Sequence, residues 1–508
     1  MRRLSPKKSV FFIGIGGIGI SALARWYKAQ KWAVFGSDLV SGEIIRELQK
    51  EGCSVKIGHK KGNLSPKIGL VIYNQAIPRD NPELVRAREL GIKTLSYPKA
   101  LGELTQRYKT IAVAGAHGKS TTTALVSLIL IKAGLDPTVI IGTKLEEFKN
   151  KNFRMGGSIP SKSNPERIDT ERRLAPANVL PYLIIEADEW RASFHHYSPT
   201  LAIITNIDRE HLDFYKNLTN IKKSFLKFIG NIQRNGTLVV NAENPVLWSM
   251  RKQIEKICAR NGIRVMWYGI QKPEKTNVLL SHDRKIKVNY EVVARKIKKV
   301  LKIPGEHNVS NALAAYTLGR ALNIPEKKIL SALSAYRGSW RRMEFRGQLK
   351  TKNYKLKTLV YDDYAHHPTE IKATLAAFRE KYPNHKLICV FQPHQAKRLQ
   401  ALFKEFQTAF YDADALVLLP IYKVPGRDNP RTRYNSELLA KTIKLKGYLK
   451  EVHYSPLYGE PAESTRRLKS TLQSLVVSSN HQPLTTKNSI VIMMGAGDIV
   501  EYSKHLVK

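Results

Sequence analysis

Short apolar runs alternate with helical stretches along almost the whole chain. Residues 10–13, 32–38, 70–78, 111–114, 182–189 and 201–207 open as apolar, largely β-branched or aromatic runs, the mark of strands buried on both faces of a parallel sheet. Residues 358–370, 387–394, 415–420 and 489–498 repeat the form, each a strand with the loop behind it. Between them, residues 21–30, 79–91 and 120–133 carry apolar faces at helical spacing, the last two stopped by Gly91 and Gly134. Another helix starts after Gly305. Strand alternating with helix predicts α/β architecture with open, mostly parallel sheets. Several runs end in glycine or in acids, at the strand ends where such sheets place their ligands.

Three domains follow. The first, 1–108, closes near Tyr108 and is Rossmann-like. The second, 109–337, opens on a phosphate-type turn and carries a mostly parallel sheet. The third, 338–508, follows a basic, turn-like stretch at 337–346 that reads as a hinge, and is a second Rossmann-like α/β domain. Residues 145–181 are polar, basic and Pro/Ser-bearing, so a long surface excursion is expected there.

The candidate chemistry sits at the strand ends. Gly115 and Gly118 bracket a tight turn between a strand and a helix, followed by Lys119 and Ser120. Backbone N–H groups and a helix N-terminus favour an anion, Lys119 adds a mobile positive charge, and the Ser120 hydroxyl can ligate Mg²⁺. Val113 stands where a Walker A motif has its first glycine, so a glycine-rich turn with an exposed lysine is the plain alternative. The next strands deliver Glu186, Asp188 and Glu189, then Asp208, Glu210, His211 and Asp213. These are ligands for Mg²⁺ on ATP phosphates, or else helix caps. Asn308 and Asn311 share one helix face and either read a purine edge or cap.

Gly14-Ile-Gly-Gly-Ile-Gly19, followed by a helix and a strand ending in Asp38, has the logic of a dinucleotide-type turn. Taken alone it also fits an NAD-dependent dehydrogenase. Residues 1–24, basic, then apolar, then small, mimic a signal peptide, but the glycine spacing favours the turn. Paired His366 and His367 lack acids at zinc-ligand spacing, so substrate contact or capping is expected.

Lys+Arg total 84 against 42 Asp+Glu, a net charge of +42. The basic residues are spread without a solitary block or an aromatic–basic repeat, so no specific nucleic acid is expected. Three scattered cysteines fit a reducing cytoplasm. No apolar run is long enough to span a membrane.

The chain resembles the Mur ligases, ATP-dependent amino-acid-adding enzymes of peptidoglycan synthesis. The resemblance is carried in order by Gly14-Ile-Gly-Gly-Ile-Gly-Ile-Ser21, Gly115-Ala-His-Gly-Lys-Ser-Thr-Thr-Thr123, Glu186-Ala-Asp-Glu189 and Thr205-Asn-Ile-Asp-Arg-Glu-His-Leu-Asp213. It continues through Gly305-Glu-His-Asn-Val-Ser-Asn-Ala312, Arg341-Arg-Met-Glu344, Asp362-Asp-Tyr-Ala-His-His-Pro-Thr-Glu370, Phe391-Gln-Pro-His394 and Gly495-Ala-Gly-Asp-Ile499.

The resemblance implies a cytoplasmic monomer or homodimer that joins L-alanine to the lactyl carboxylate of UDP-N-acetylmuramate through an acyl phosphate, with ATP and Mg²⁺. Reattachment of a recycled murein tripeptide is the alternative within the family. By motif match, Gly14, Gly16, Gly17, Gly19, Ser21, Asp38 and His59 would bind the UDP-sugar. Gly115, His117, Gly118, Lys119, Ser120, Thr121, Asn308, Asn311 and Arg342 would bind ATP. Ser120, Glu186 and His211 would organise the metal. Lys119, Glu186, His211, Arg342 and Asp363 would be catalytic. His366, His394 and Arg398 would meet the amino acid, although Gln395 stands where many members have arginine.

Overall fold

A computed structural model describes residues 8–157, 180–270, 278–280, 285–287, 289–349, 357–422, 432–449, 451–456, 461–477 and 488–507. The chain divides into two compact units. One comprises Met1–Leu301 with Ser310–Tyr336, and the other Lys302–Val309 with Arg337–Lys508.

The first unit holds two sheets. Strands β1 (Ser9–Ile13), β2 (Ala33–Asp38), β3 (Ser54–Ile57), β4 (Leu70–Tyr73) and β5 (Thr94–Ser96) form an all-parallel sheet of order β3-β2-β1-β4-β5. Helices α1 (Ile18–Ala29), α2 (Glu43–Lys50), α3 (Pro82–Glu89) and α4 (Tyr97–Thr105) connect or follow these strands. The apolar run that mimics a signal peptide is the central strand β1, with Val10, Phe12 and Ile13 fully buried.

The second sheet contains β6 (Lys109–Ala114), β7 (Thr138–Leu145), β8 (Lys151–Arg154), β9 (Tyr182–Ala187), β10 (Leu201–Ile204), β11 (Thr237–Asn241) and β12 (Arg264–Tyr268). Their order is β12-β11-β10-β6-β9-β7-β8, parallel except for the β7–β8 pair. Helix α5 (Lys119–Ala133) leaves the end of β6. A small hairpin, β13 (Val278–Leu280) and β14 (Lys285–Lys287), follows.

The expected excursion at 145–181 is corrected at its start. Residues 151–154 form an edge strand, and Asn152 is fully buried. A polar strand can be interior because its amide is consumed: Asn152 accepts from Arg25 and donates to the Ile18 carbonyl and, at 2.9 Å, to the Ser21 hydroxyl. Residues 158–179 of that stretch lie outside the described residues. The same region carries a charge network in which two buried cations meet partly exposed carboxylates. Arg25, 3% exposed, meets Glu47 at 2.9 Å and Glu51 at 3.0 Å, and Lys144 meets Glu43 at 2.7 Å and Glu47 at 2.6 Å. These pairs tie the helices of the first sheet to the edge of the second, and one apolar core runs through both, from Phe12 and Leu23 to Ile185 and Phe228.

The second unit is a six-stranded sheet: β15 (Glu344–Gln348), β16 (Thr358–Asp363), β17 (Lys386–Phe391), β18 (Ala415–Leu418), β19 (Glu451–Tyr454) and β20 (Ser489–Met494). Its order is β15-β16-β20-β17-β18-β19, parallel except for β15. The basic turn-like stretch therefore ends at Met343, and Glu344 begins a strand. Arg341 and Met343 take the left-handed conformation at φ 56° and 48°. Arg341 is held there because its buried guanidinium donates to the Gly495 and Gly497 carbonyls at 2.6 and 3.1 Å. The three cysteines are buried and unpaired. Among the described residues, no helix is long and apolar enough to cross a membrane.

Candidate functional site

The phosphate turn is shaped by what packs behind it. A Cβ on Gly115 would lie 2.1 Å from Thr205 Oγ1, and one on Gly118 would lie 2.3 Å from Asn311 Oδ1. Both glycines also have positive φ, so only glycine fits. Residues just past β10 brace the turn. The Asn206 carbonyl accepts from Ala116 N–H at 3.1 Å, and its side-chain oxygen accepts from His117 N–H at 2.9 Å. Thr205 Oγ1 donates to the His117 carbonyl at 2.7 Å. His117 Nε2 lies 3.1 Å from Asp208 Oδ2.

Lys119 curls back over this turn. Its ammonium donates to the Gly115 carbonyl at 2.6 Å, the Ala116 carbonyl at 3.2 Å and Glu189 Oε2 at 3.0 Å. Burial alone would push it down, but Glu189, Asp188 and Glu186 together hold it above the usual lysine value. Beside it, Glu186 Oε1 accepts from Gly142 N–H at 2.7 Å and its Oε2 from the Ser120 hydroxyl at 3.1 Å. Burial pushes the Glu186 carboxyl up, against those two bonds and the nearby lysine.

His211, at φ 53°, brings Nε2 to 3.7 Å from Glu189 Oε1. That oxygen is buried and makes no hydrogen bond. Asp188, Glu189 and His211 offer ligand atoms all within 4.8 Å of one another. An orphaned carboxylate oxygen beside a second carboxylate, an imidazole and the Ser120–Glu186 pair fits a hard divalent cation. Motif matching selected Glu186 and passed over Glu189, though both stand at the end of one strand. Three residues on from Glu186, at the start of a turn, Glu189 reaches back to Lys119.

The first glycine turn lies at the end of β1. Gly14 and Ile15 N–H groups donate to the Ser37 carbonyl, and Gly16 N–H donates to Asp38 Oδ2 at 2.8 Å. Asp38 thus braces the turn itself. Gly17 is the N-cap of α1, and Gly19 lies in its first turn. Ser21 is fully buried in the wall behind, its hydroxyl donating to the Ile18 carbonyl and accepting from Asn152. His59 packs its Nδ1 at 2.9 Å from Glu83 and 3.0 Å from the Ser37 hydroxyl, leaving little of the ring exposed. Thr121 is buried in the first turn of α5.

In the second unit, Asp363 ends β16 and is 2% exposed. It accepts from Met343 N–H at 2.8 Å, Ala365 N–H at 2.9 Å and the Thr374 hydroxyl at 3.3 Å, so it organises the local backbone. Arg342 lies 3.4 Å from Glu370 and over the Tyr364 ring. His366 and His394 meet edge to face, with centroids 5.8 Å apart, and Arg398 Nη1 lies 3.3 Å from His394 Nδ1. Tyr422 stacks on His394 at 5.6 Å. No motif pointed to it. His367 caps the helix Pro368–Lys381. The Asn308 amide is spent on the Pro304 carbonyl at 2.6 Å. Asn311, in the first unit, packs against Gly118.

Three family models cover the chain in order: Mur ligase family, catalytic domain over residues 9–109; Mur ligase middle domain over 113–319; and Mur ligase, glutamate ligase domain over 341–497. The chain is 36% identical over 499 residues to UDP-N-acetylmuramate--L-alanine ligase of Clostridium kluyveri, covering 97% of this chain and 96% of that protein. A relative of the same name from Clostridium botulinum (strain Langeland) is 37% identical over 444 residues, 87% of this chain and 88% of its own. The crystal structure of UDP-N-acetylmuramate-alanine ligase from Thermotoga maritima aligns with a TM-score of 0.69 at 26% identity, covering 98% of both chains. A murein peptide ligase from Psychrobacter arcticus shares the fold, with a TM-score of 0.64 at 22% identity over 99% of this chain and all of its own. Matched by three successive family domains between residues 9 and 497 and by a relative 36% identical over 97% of the chain, the chain belongs to the Mur ligase family.

Proposed function

We propose that the protein joins L-alanine to the carboxylate of UDP-N-acetylmuramate and converts ATP to ADP and phosphate. The observation that carries this reading is the phosphate turn, with Lys119 preset across it and the Ser120–Glu186 pair alongside, in a chain so similar to UDP-N-acetylmuramate--L-alanine ligase of Clostridium kluyveri. The work is cytoplasmic.

The substrate carboxylate attacks the γ-phosphorus, the bond to the β-phosphate oxygen breaks, and an acyl phosphate forms as ADP leaves. The Lys119 ammonium and the N–H groups opening α5 stabilise the charge on the transferring group. The amine of L-alanine then attacks the acyl carbon, loses a proton, and expels phosphate as the amide forms. Ser120, Glu186 and His211, joined by Asp188 and Glu189, would hold Mg²⁺, which supplies Lewis-acid neutralisation of phosphate charge. The segments 1–108, 109–337 and 338–508 serve the UDP-sugar, ATP and the amino acid in turn. His366, His394 and Arg398, with Tyr422, form the amino-acid site, where Arg398 suits a carboxylate.

The test is phosphate release from ATP with UDP-N-acetylmuramate and each of L-alanine, glycine, L-serine and the murein tripeptide, with Lys119→Ala as control. Release that needs both the UDP-sugar and L-alanine is expected. Release with the tripeptide alone, or with no amine at all, overturns the assignment.

A further inference from the structure

Tyr97 follows β5 directly and opens α4, at the C-terminal end of the first sheet. Its hydroxyl rests on the first turn of α1. A Cβ built on Gly19 would lie 2.9 Å from Tyr97 Oη and 3.1 Å from its Cζ, so the helix carries hydrogen there and the phenol lies flush against the glycine turn. The carboxylates at the end of β9 act on it electrostatically. Burial, then the Glu186 and Asp188 carboxylates, push the phenol well above its usual value. Tyr197, 1% exposed, feels the same Asp188 and Tyr97 itself. Tyr97 thus stands where the glycine turn of the first sheet and the acidic strand end of the second come together.

Among the described residues, Tyr97 Oη makes no hydrogen bond, yet it is not one of the sealed, unpaired polar atoms of the interior. The residue is only partly buried, and its hydroxyl has a proton to give. An acid that is tethered through its diphosphate at the first turn and phosphorylated at the second must bring its carboxylate through this junction. The junction already carries Glu186 and Asp188, so a third carboxylate needs a donor there.

We propose that Tyr97 is a substrate-binding residue whose phenol donates a hydrogen bond to the carboxylate of the UDP-sugar, holding it between the glycine turn and the phosphate turn. The proposal rests on the ligase reading above and adds the group that recognises the acid.

UDP-N-acetylglucosamine has the same nucleotide and sugar but no lactyl carboxylate, so it isolates this contact. Calorimetric affinities for the two UDP-sugars are compared in wild type and in Tyr97→Phe. Wild type is expected to prefer the acid-bearing sugar. Tyr97→Phe should lose about 10- to 100-fold for that sugar, the worth of a hydrogen bond to a charged group. It should stay within about twofold for UDP-N-acetylglucosamine, which also shows that the variant is folded, and the KM for ATP should not move. A wild-type preference that survives Tyr97→Phe, or an equal loss for both sugars, overturns this proposal alone. A wild-type protein that prefers neither sugar overturns it together with the ligase reading.

Discussion

Lys119 Nζ lies 3.0 Å from Glu189 Oε2, and the other two ammonium protons go to the turn's own carbonyls at Gly115 and Ala116. All three donors of the lysine are committed, so its charge is fixed in position by the fold. Glu189 is 2% exposed. The pair is therefore structural as well as chemical.

Lys119→Ala should show both roles. Loss of a preset charge at the transferring group should lower kcat by about 10²- to 10³-fold. Stranding Glu189 should also cost about 3 kcal/mol of stability. Phosphate release and urea denaturation measure the two separately, and an unchanged unfolding midpoint would refute the structural half.

Ser120 and Glu186 test the metal site. Ser120→Ala removes the hydroxyl that Glu186 accepts and should raise the Mg²⁺ concentration for half-maximal activity about tenfold, on the order of one lost ligand or hydrogen bond. Ser120→Thr keeps the hydroxyl and should behave like wild type. Equal Mg²⁺ titrations for the alanine and threonine variants would remove Ser120 from the metal site.

Asp362 predicts a pH dependence of stability. It is 1% exposed, takes the Ser503 hydroxyl at 2.9 Å, and has a second oxygen that is buried without a hydrogen bond. Burial outweighs Ser503, Arg346 and Arg341 and pushes its carboxyl up to about 7. The folded state then holds a proton that the unfolded chain has released, so this group's contribution falls as pH rises from about 4 to 7, by a few kcal/mol at most. Asp362→Asn should flatten that slope in denaturation curves taken at several pH values. An unaltered slope would place the ionised form in the fold at all of them.

Arg398 should set the affinity for the amine substrate. Its guanidinium is steered by the His394 ring, itself stacked on Tyr422. Arg398→Ala should raise the KM for L-alanine about 10- to 100-fold, the worth of a charge-assisted contact. The KM for the UDP-sugar should stay unchanged. Equal rises in both would mean a general loss of folding in the second unit.

Much of this was legible because it is local. Alternating apolar runs and glycine stops marked β1, β2, β4, β6, β9, β10, β16, β17, β18, β20 and the helices α1, α3 and α5. The turn at Gly115–Ser120 was legible because Gly115, Gly118, Lys119 and Ser120 stand within six residues of one another in the chain. The edge strands β8 and β15 were not, because their polar and basic residues read as loop. Asn152 becomes interior only when Arg25, Ile18 and Ser21, far away in sequence, satisfy its amide. Ser21 and Asp38 carry motif positions, yet the fold spends their side chains on its own backbone and on Asn152.

The sequence by itself determined the family, ten of the strands and the place of the two glycine turns, since each depends on periodicity or on neighbours within a few residues. Only the tertiary structure decided which side chains share a site. It chose Glu189 for Lys119 and His211, set Tyr422 on His394, and laid Tyr97 against the first turn of α1. These pairings cross long stretches of chain, and burial decides them: a charge or hydroxyl removed from water takes the partner that packing places within reach.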